Sequence, residues 1–224
     1  MRQLEYAIEV APESQAANFD LAALRLKQAE QLDKTSPEYA QLIESAIVNL
    51  KTITDGELTG LRLMATPQLF ELECELGNRE EAEARLRSEV NTLLDFGRKY
   101  PNIYEVWLTA IRCKISLGDY LGAIAIAKEG SQSVSDSAVR QKINQLASQV
   151  YAKRAGDFEN LNDRADYRKR LFSLCKALQM NQSNRDVYVQ LLEMIKVPQR
   201  VGEVAPDQLA NTKSSVQEVS NREI

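Results

Sequence analysis

Few side chains in this chain are of a type that does chemistry. Cys74, Cys113 and Cys175 could be nucleophiles or metal ligands, but they lie far apart, are odd in number and form no CxxC pair. The chain has no histidine. That removes the commonest general base, every Ser–His or Cys–His pair, His-containing zinc sites and the Glu-x-x-His ligands of carboxylate di-iron bundles. Its 9 glycines form neither GxGxxG nor GxxxxGK[ST], so no nucleotide cradle is present. The cysteines read as small apolar residues on helices of a protein kept in a reducing compartment. The expectation is a protein that is not an enzyme and has neither cofactor nor metal.

Two charged clusters stand out. Glu71, Glu73, Glu75, Glu80, Glu81 and Glu83 are dense, but helical spacing spreads them around two helices, with Arg79, Arg85 and Arg87 as counter-charges. They read as a solvated face. "DYRKR" (Asp166–Arg170), with Lys153, Arg154 and Arg164, is the best basic cluster, and Asp157, Glu159, Asp163 and Asp166 dilute it. It reads as a polar helix face. The net charge of −4 disfavours nucleic acid as a partner. No apolar run approaches the ~20 residues of a membrane span, and Glu5 and Glu9 interrupt any secretion signal, so a cytoplasmic protein is expected.

The elements that position these groups are set by punctuation. Gly77, Gly118 and Gly156 are each followed by Asn or Asp and lie 41 and 38 residues apart. Glycine past a helix end takes a left-handed backbone at little cost, and the Asx side chain can cap the next helix. Ser36 and Pro37 form a fourth corner as N-cap and first helical residue. Breaks at Pro12, Gly56, Pro101, Asp136 and Asn184 alternate with these corners. The spacing predicts helices at 14–32, 37–53, 57–76, 79–98, 102–117, 119–132, 136–155, 163–180 and 185–196, with a partial helix before Pro12. No window alternates like a strand, so the chain is all-α.

A period near 40 residues implies stacked helix pairs. "AIEVAPESQAANFDLAALRLK" resembles the junction of two tetratricopeptide (TPR) repeats: Ala7 and Pro12 stand at the closing Ala and Pro, Leu21 and Ala22 at the Leu-Gly pair. Pro101, Trp107, Gly118, Asp119, Tyr120 and Ala123 repeat the frame, as do Ala177, Tyr188 and Leu191. Ile111 and Leu192 stand where the motif has Gly, and Lys114 where it has Tyr. Trp107 is then a core residue. Bulky Ile111 would face small partners at Gly122, Ala123, Ala125 and Ala127.

The resemblance implies a right-handed superhelical stack of antiparallel helix pairs, a TPR-like α-solenoid, over residues 1–196, with a flexible tail at 197–224. The chain begins mid-unit, either with a lone capping helix or as one piece of a longer array, and self-association through its ends is open. The implied function is a non-catalytic scaffold that holds a peptide or helical segment of a partner protein on the first helices. The alternatives are an RNA-processing half-TPR-like repeat and a regulatory or targeting domain of a larger enzyme. The wall-facing candidates are Phe19, Asp20, Ala23 and Lys27, and Glu105, Leu108, Thr109, Arg112 and Ser116. Phe19, Ala23, Leu108 and Arg112 replace the Lys and Asn of chaperone-binding clamps, so a two-carboxylate clamp is not expected.

Overall fold

A computed structural model describes residues 2–159 and 163–196. The predicted tail at 197–224 lies outside the described residues. Ten helices follow one another: α1 Arg2–Val10, α2 Gln15–Ala29, α3 Pro37–Asp55, α4 Gly60–Glu75, α5 Arg79–Lys99, α6 Tyr104–Ser116, α7 Tyr120–Ser133, α8 Ser137–Gly156, α9 Arg164–Met180 and α10 Arg185–Lys196. No strand occurs among the described residues. No described helix is long and apolar enough to cross a membrane.

The corners work largely as their residue types predict. At Gly77 (φ 86°) and Gly118 (φ 70°) the chain turns left-handed. Each glycine closes the preceding helix with a pair of bonds: Gly77 N–H to Cys74 and Asn78 N–H to Glu73, Gly118 N–H to Ile115 and Asp119 N–H to Lys114. This is the double closure known as a Schellman motif. Ser36 accepts from the Tyr39 N–H at 3.1 Å ahead of Pro37. Asp119 accepts from the Gly122 N–H at 2.8 Å and from Lys114 Nζ at 2.7 Å. Two corners depart from expectation. Asn78 makes no side-chain cap, and Gly156 is the last residue of α8 with no left-handed turn.

Lys114 first, and the Gly122 amide second, hold the Asp119 carboxyl below its ordinary value. Because that pKa is depressed on folding, its stabilisation is complete above the unfolded value near 3.9 and fades as pH falls below it. The melting-temperature gap between wild type and Asp119→Ala should therefore shrink below about pH 4 and stay constant from there to neutrality.

By compactness the chain divides into two units, Met1–Val150 and Tyr151–Ile224. In the first, sequential helices pack on one another, α2 on α3, α3 on α4, and so on to α7. The first members of the pairs also touch in series, α2 against α4 and α4 against α6. Their buried positions recur in one register: Ala17, Asn18, Leu21, Ala22 on α2; Ala65, Thr66, Leu69, Phe70 on α4; Val106, Trp107, Ala110, Ile111 on α6. Adjacent residues of α4 serve different clusters. Leu69 joins Ile43, Ile47, Leu50 and Ile53 of α3, whereas Phe70 joins Leu86, Val90 and Leu93 of α5 together with Trp107. In the second unit, Ala152 and Ala155 cluster with Leu174, Ala177, Val187 and Met194.

Trp107 is fully buried, as its place in the repeat predicts. Its indole N–H donates to the Pro101 carbonyl at 3.1 Å. Small residues on the two flanking helices make room for it. A Cβ on Gly130 (α7) would lie 3.0 Å from the ring, and one on Gly97 (α5) 3.1 Å from it. Ala123 and Ala127 are buried with Ile111, but Ala125 is exposed. Gly122 is taken up by the corner, because the Asp119 carboxylate occupies the space of its missing Cβ.

A Cβ on Gly97 would press on Cε2 and Cζ2 of the ring, and one on Gly130 on Cγ, Cδ2 and Cε3. Gly130→Ala gains about 1 kcal/mol of helix propensity but adds an overpacking cost of about 1–3 kcal/mol, which here prevails. Denaturant titration should show Gly130→Ala less stable by up to about 2 kcal/mol.

Candidate functional site

The first helices of the first unit expose a common stripe. On α2, Ala16, Asp20, Ala23 and Lys27 are exposed, with Phe19 half-buried at its edge. On α6, Glu105 and Arg112 are exposed, while Leu108 and Ser116 are half-buried. Thr109 departs from its predicted place: at 5% exposure it belongs to the interior and offers nothing to a partner. The buried register assigns the counterpart on α4, where Met64, Gln68, Glu71 and Glu75 are exposed at the same helical spacing. Met64 and Gln68 escaped the sequence reading, and Glu71 and Glu75 entered it only as part of the acidic face, because the α4 unit lacks the aromatic opening residue that fixes the frame in α6.

The charges of the stripe are mostly uncommitted. Among the described residues, Asp20, Lys27, Glu71, Glu105 and Arg112 make neither a salt bridge nor a side-chain hydrogen bond. Glu75 is the exception. It accepts from Lys34 at 2.9 Å and from the Tyr39 hydroxyl at 2.7 Å. Lys34, then Tyr39, hold its carboxyl below the usual range, and the same hydrogen bond raises the Tyr39 phenol.

The acidic stretch across the end of α4 and the start of α5 is mostly the solvated face its composition suggests, with Glu71, Glu75, Glu80 and Glu81 exposed. Glu83 does pair on the surface, at 3.0 Å with both Arg79 and Arg87. Glu73, however, is 3% exposed, and its Oε1 takes both Lys51 Nζ, at 3.0 Å, and the Arg85 guanidinium. Its Oε2 is buried with no partner. Leaving a buried acceptor unpaired costs about 1–3 kcal/mol. One turn along α5 from Arg85, Glu89 is also buried and receives a two-pronged bond from Arg62, Nε to Oε1 at 2.9 Å and Nη2 to Oε2 at 2.7 Å. These groups line a cleft of about 290 Å³ along α4, between the end of α3 and the exposed flank of α5. Leu69, Phe70 and Leu86 form its apolar floor, and Thr66, Ser88 and Thr92 add hydroxyls.

A second buried polar network lies where α2 meets α3. Asn18 donates to the carbonyls of Pro12, at 2.8 Å, and Ser14, at 3.0 Å, and accepts from Asn49 at 2.7 Å. Arg25 closes it on Asn49 and on the Ser45 carbonyl. All these groups are satisfied, so the network pins the corner.

The thiols are free. Burial pushes Cys113 up to about 12, and burial is also the leading cause that raises Cys74 and Cys175. A thiol held protonated is a poor nucleophile and a poor metal ligand. Among the described residues no three His, Cys, Asp or Glu side chains converge as a metal site. The basic cluster is folded onto its own unit: Arg154 and Lys169 lie 5.9 and 5.5 Å from the centroid of the Phe158 ring, and Lys169 pairs with Asp166.

Compared with protein-family models the chain matches none, and it matches no curated protein at a significant level. The class is therefore defined by the fold alone: an all-helical protein among the described residues, with α1 to α7 packed in sequence and α2, α4 and α6 in contact in series.

Proposed function

We propose that this protein is a TPR-like, non-catalytic scaffold that holds an extended or helical segment of a partner protein along the stripe of α2, α4 and α6. The observation that carries this reading is the contrast in charge use. The stripe leaves Asp20, Lys27, Glu71, Glu105 and Arg112 exposed without ion pairs, while the charges along the neighbouring cleft neutralise one another. Unpaired charges flanking half-buried Phe19 and Leu108 suit a surface on which a few apolar anchors give affinity and charges set register. Mixed signs on neighbouring helices favour a partner segment with both acidic and basic residues over a polyanion.

The test is partner capture from the native source with wild type, Arg112→Glu and Lys128→Glu, the last an exposed cation on α7 outside the stripe. The proposal predicts a specific partner retained by wild type and Lys128→Glu and lost from Arg112→Glu. Equal retention by all three proteins would remove the stripe from consideration.

A further inference from the structure

We propose that this protein pairs with a second copy of itself through α10, the two helices lying antiparallel about a twofold axis. On its inner side α10 turns Val187, Leu191 and Met194 toward Leu174 and Ala177 of α9. The opposite side is apolar as well: Tyr188, Val189 and Leu192 are 48%, 48% and 59% exposed at helical spacing. A charge bounds each end of this stripe, Arg185 before it and Glu193 after it. Both are exposed, and neither makes an ion pair among the described residues. Three large apolar side chains together on an outer face mark a contact surface rather than scattered exposure.

The order of the charges selects the occupant. From N- to C-terminus the stripe runs cation, apolar, anion, so it is its own complement when reversed. An axis centred on Val189 sets Arg185 level with Glu193 of the other copy, because the two lie equally far from the centre. At the α-helical rise, Val189 then meets its equivalent, and each Leu192 falls about 1.5 and 3 Å along the axis from Arg185 and Tyr188 of the other helix. The exposed carboxylate of Asp186 sits about 100° round from Arg185, outside the seam. A parallel pair would instead set arginine on arginine and glutamate on glutamate. Twofold contacts of this kind are the commonest among homo-oligomers. One helix from each copy buries less than the ~800 Å² per partner of a standard interface, so the dimer is weak and reversible. The contact is independent of the stripe on α2, α4 and α6.

The test is sedimentation velocity on the full chain across a concentration series, with wild type, Leu192→Glu, Arg185→Glu, Glu193→Arg and the double exchange Arg185→Glu, Glu193→Arg. Wild type should pass from monomer to dimer with a Kd of about 10–100 µM. Leu192→Glu should stay monomeric. Each single charge reversal should weaken pairing about tenfold, because one substitution spoils two symmetry-related contacts, and the double exchange should restore it. Arg185→Glu mixed with Glu193→Arg should give a heterodimer, since one copy then carries both anions and the other both cations. All three positions are exposed, so every variant should keep the helix content of wild type in circular dichroism. A monomer at every concentration, as when residues 197–224 cover the face, would overturn the assignment. So would a dimer indifferent to Leu192→Glu, single reversals no weaker than wild type, or no recovery in the double exchange and the mixture.

Discussion

Trp107→Ala is expected to destabilise the first unit by about 3–5 kcal/mol, the cost of deleting a large, fully buried aromatic. The ring is the widest object in its core and is wholly inaccessible. It spans from Gly97 on α5 to Gly130 on α7, so its removal leaves a cavity between three helices. It also strands the Pro101 carbonyl, the acceptor of its indole N–H. For a unit of this size 1 kcal/mol shifts Tm by about 2–4 °C, so the melt should fall by roughly 6–20 °C. The double substitution Trp107→Ala, Gly130→Leu tests the mechanism, because a side chain grown into the same space should recover part of the loss. An unchanged melt for Trp107→Ala would contradict the packing described.

The second large effect is expected at Glu89. Its carboxylate and the Arg62 guanidinium are 10% and 14% exposed and meet through two parallel bonds. Glu89→Ala leaves the arginine buried with only the Gly56 carbonyl as partner, which should cost about 3–5 kcal/mol. Removing both charges is a different matter. Arg62→Met with Glu89→Leu should be near neutral or slightly stabilising, because both desolvation penalties vanish together. Denaturant midpoints for the two single variants and the double variant close the cycle. Additive losses would show that the pair is solvated and weakly coupled.

Helix order and the corners at Ser36, Gly77 and Gly118 were legible because they depend on local chemistry: a hydroxyl before proline, or a glycine free to turn left-handed. Each predicted helix has a counterpart within a few residues. Trp107 was legible for the same reason, since its place in the repeat fixes its face. Its neighbours were not. Gly97 and Gly130 lie on helices before and after α6, and no local pattern shows that an indole passes between them. Asn78 and Asp119 occupy equivalent corners, yet only Asp119 caps, because Lys114 holds its carboxylate in place.

The charges divide in the same way. Composition around Glu73 and Glu83 is uniform, and sequence spacing puts arginines near both. Only packing decides that Glu83 stays at the surface while Glu73 turns inward toward Lys51, 22 positions earlier in the chain. Thr109 likewise shares its helical position with exposed Asp20 and Gln68, yet it is buried. The exposure of Asp20, Ala23, Lys27, Glu105 and Arg112 on α2 and α6 agrees with their expected positions, whereas Thr109 is buried. The stretch on α4 needed the buried register of Ala65, Thr66, Leu69 and Phe70.

The most direct measurement is residue-resolved carboxyl labelling of the native protein, read by mass spectrometry. Asp20, Glu71 and Glu105 should be modified rapidly, and Glu73 and Glu89 slowly, with the contrast abolished by denaturant. Modification of Glu73 and Glu89 at the rate of Glu105 in the native state would mean that the two charged surfaces are not distinct, and the account of both would fail.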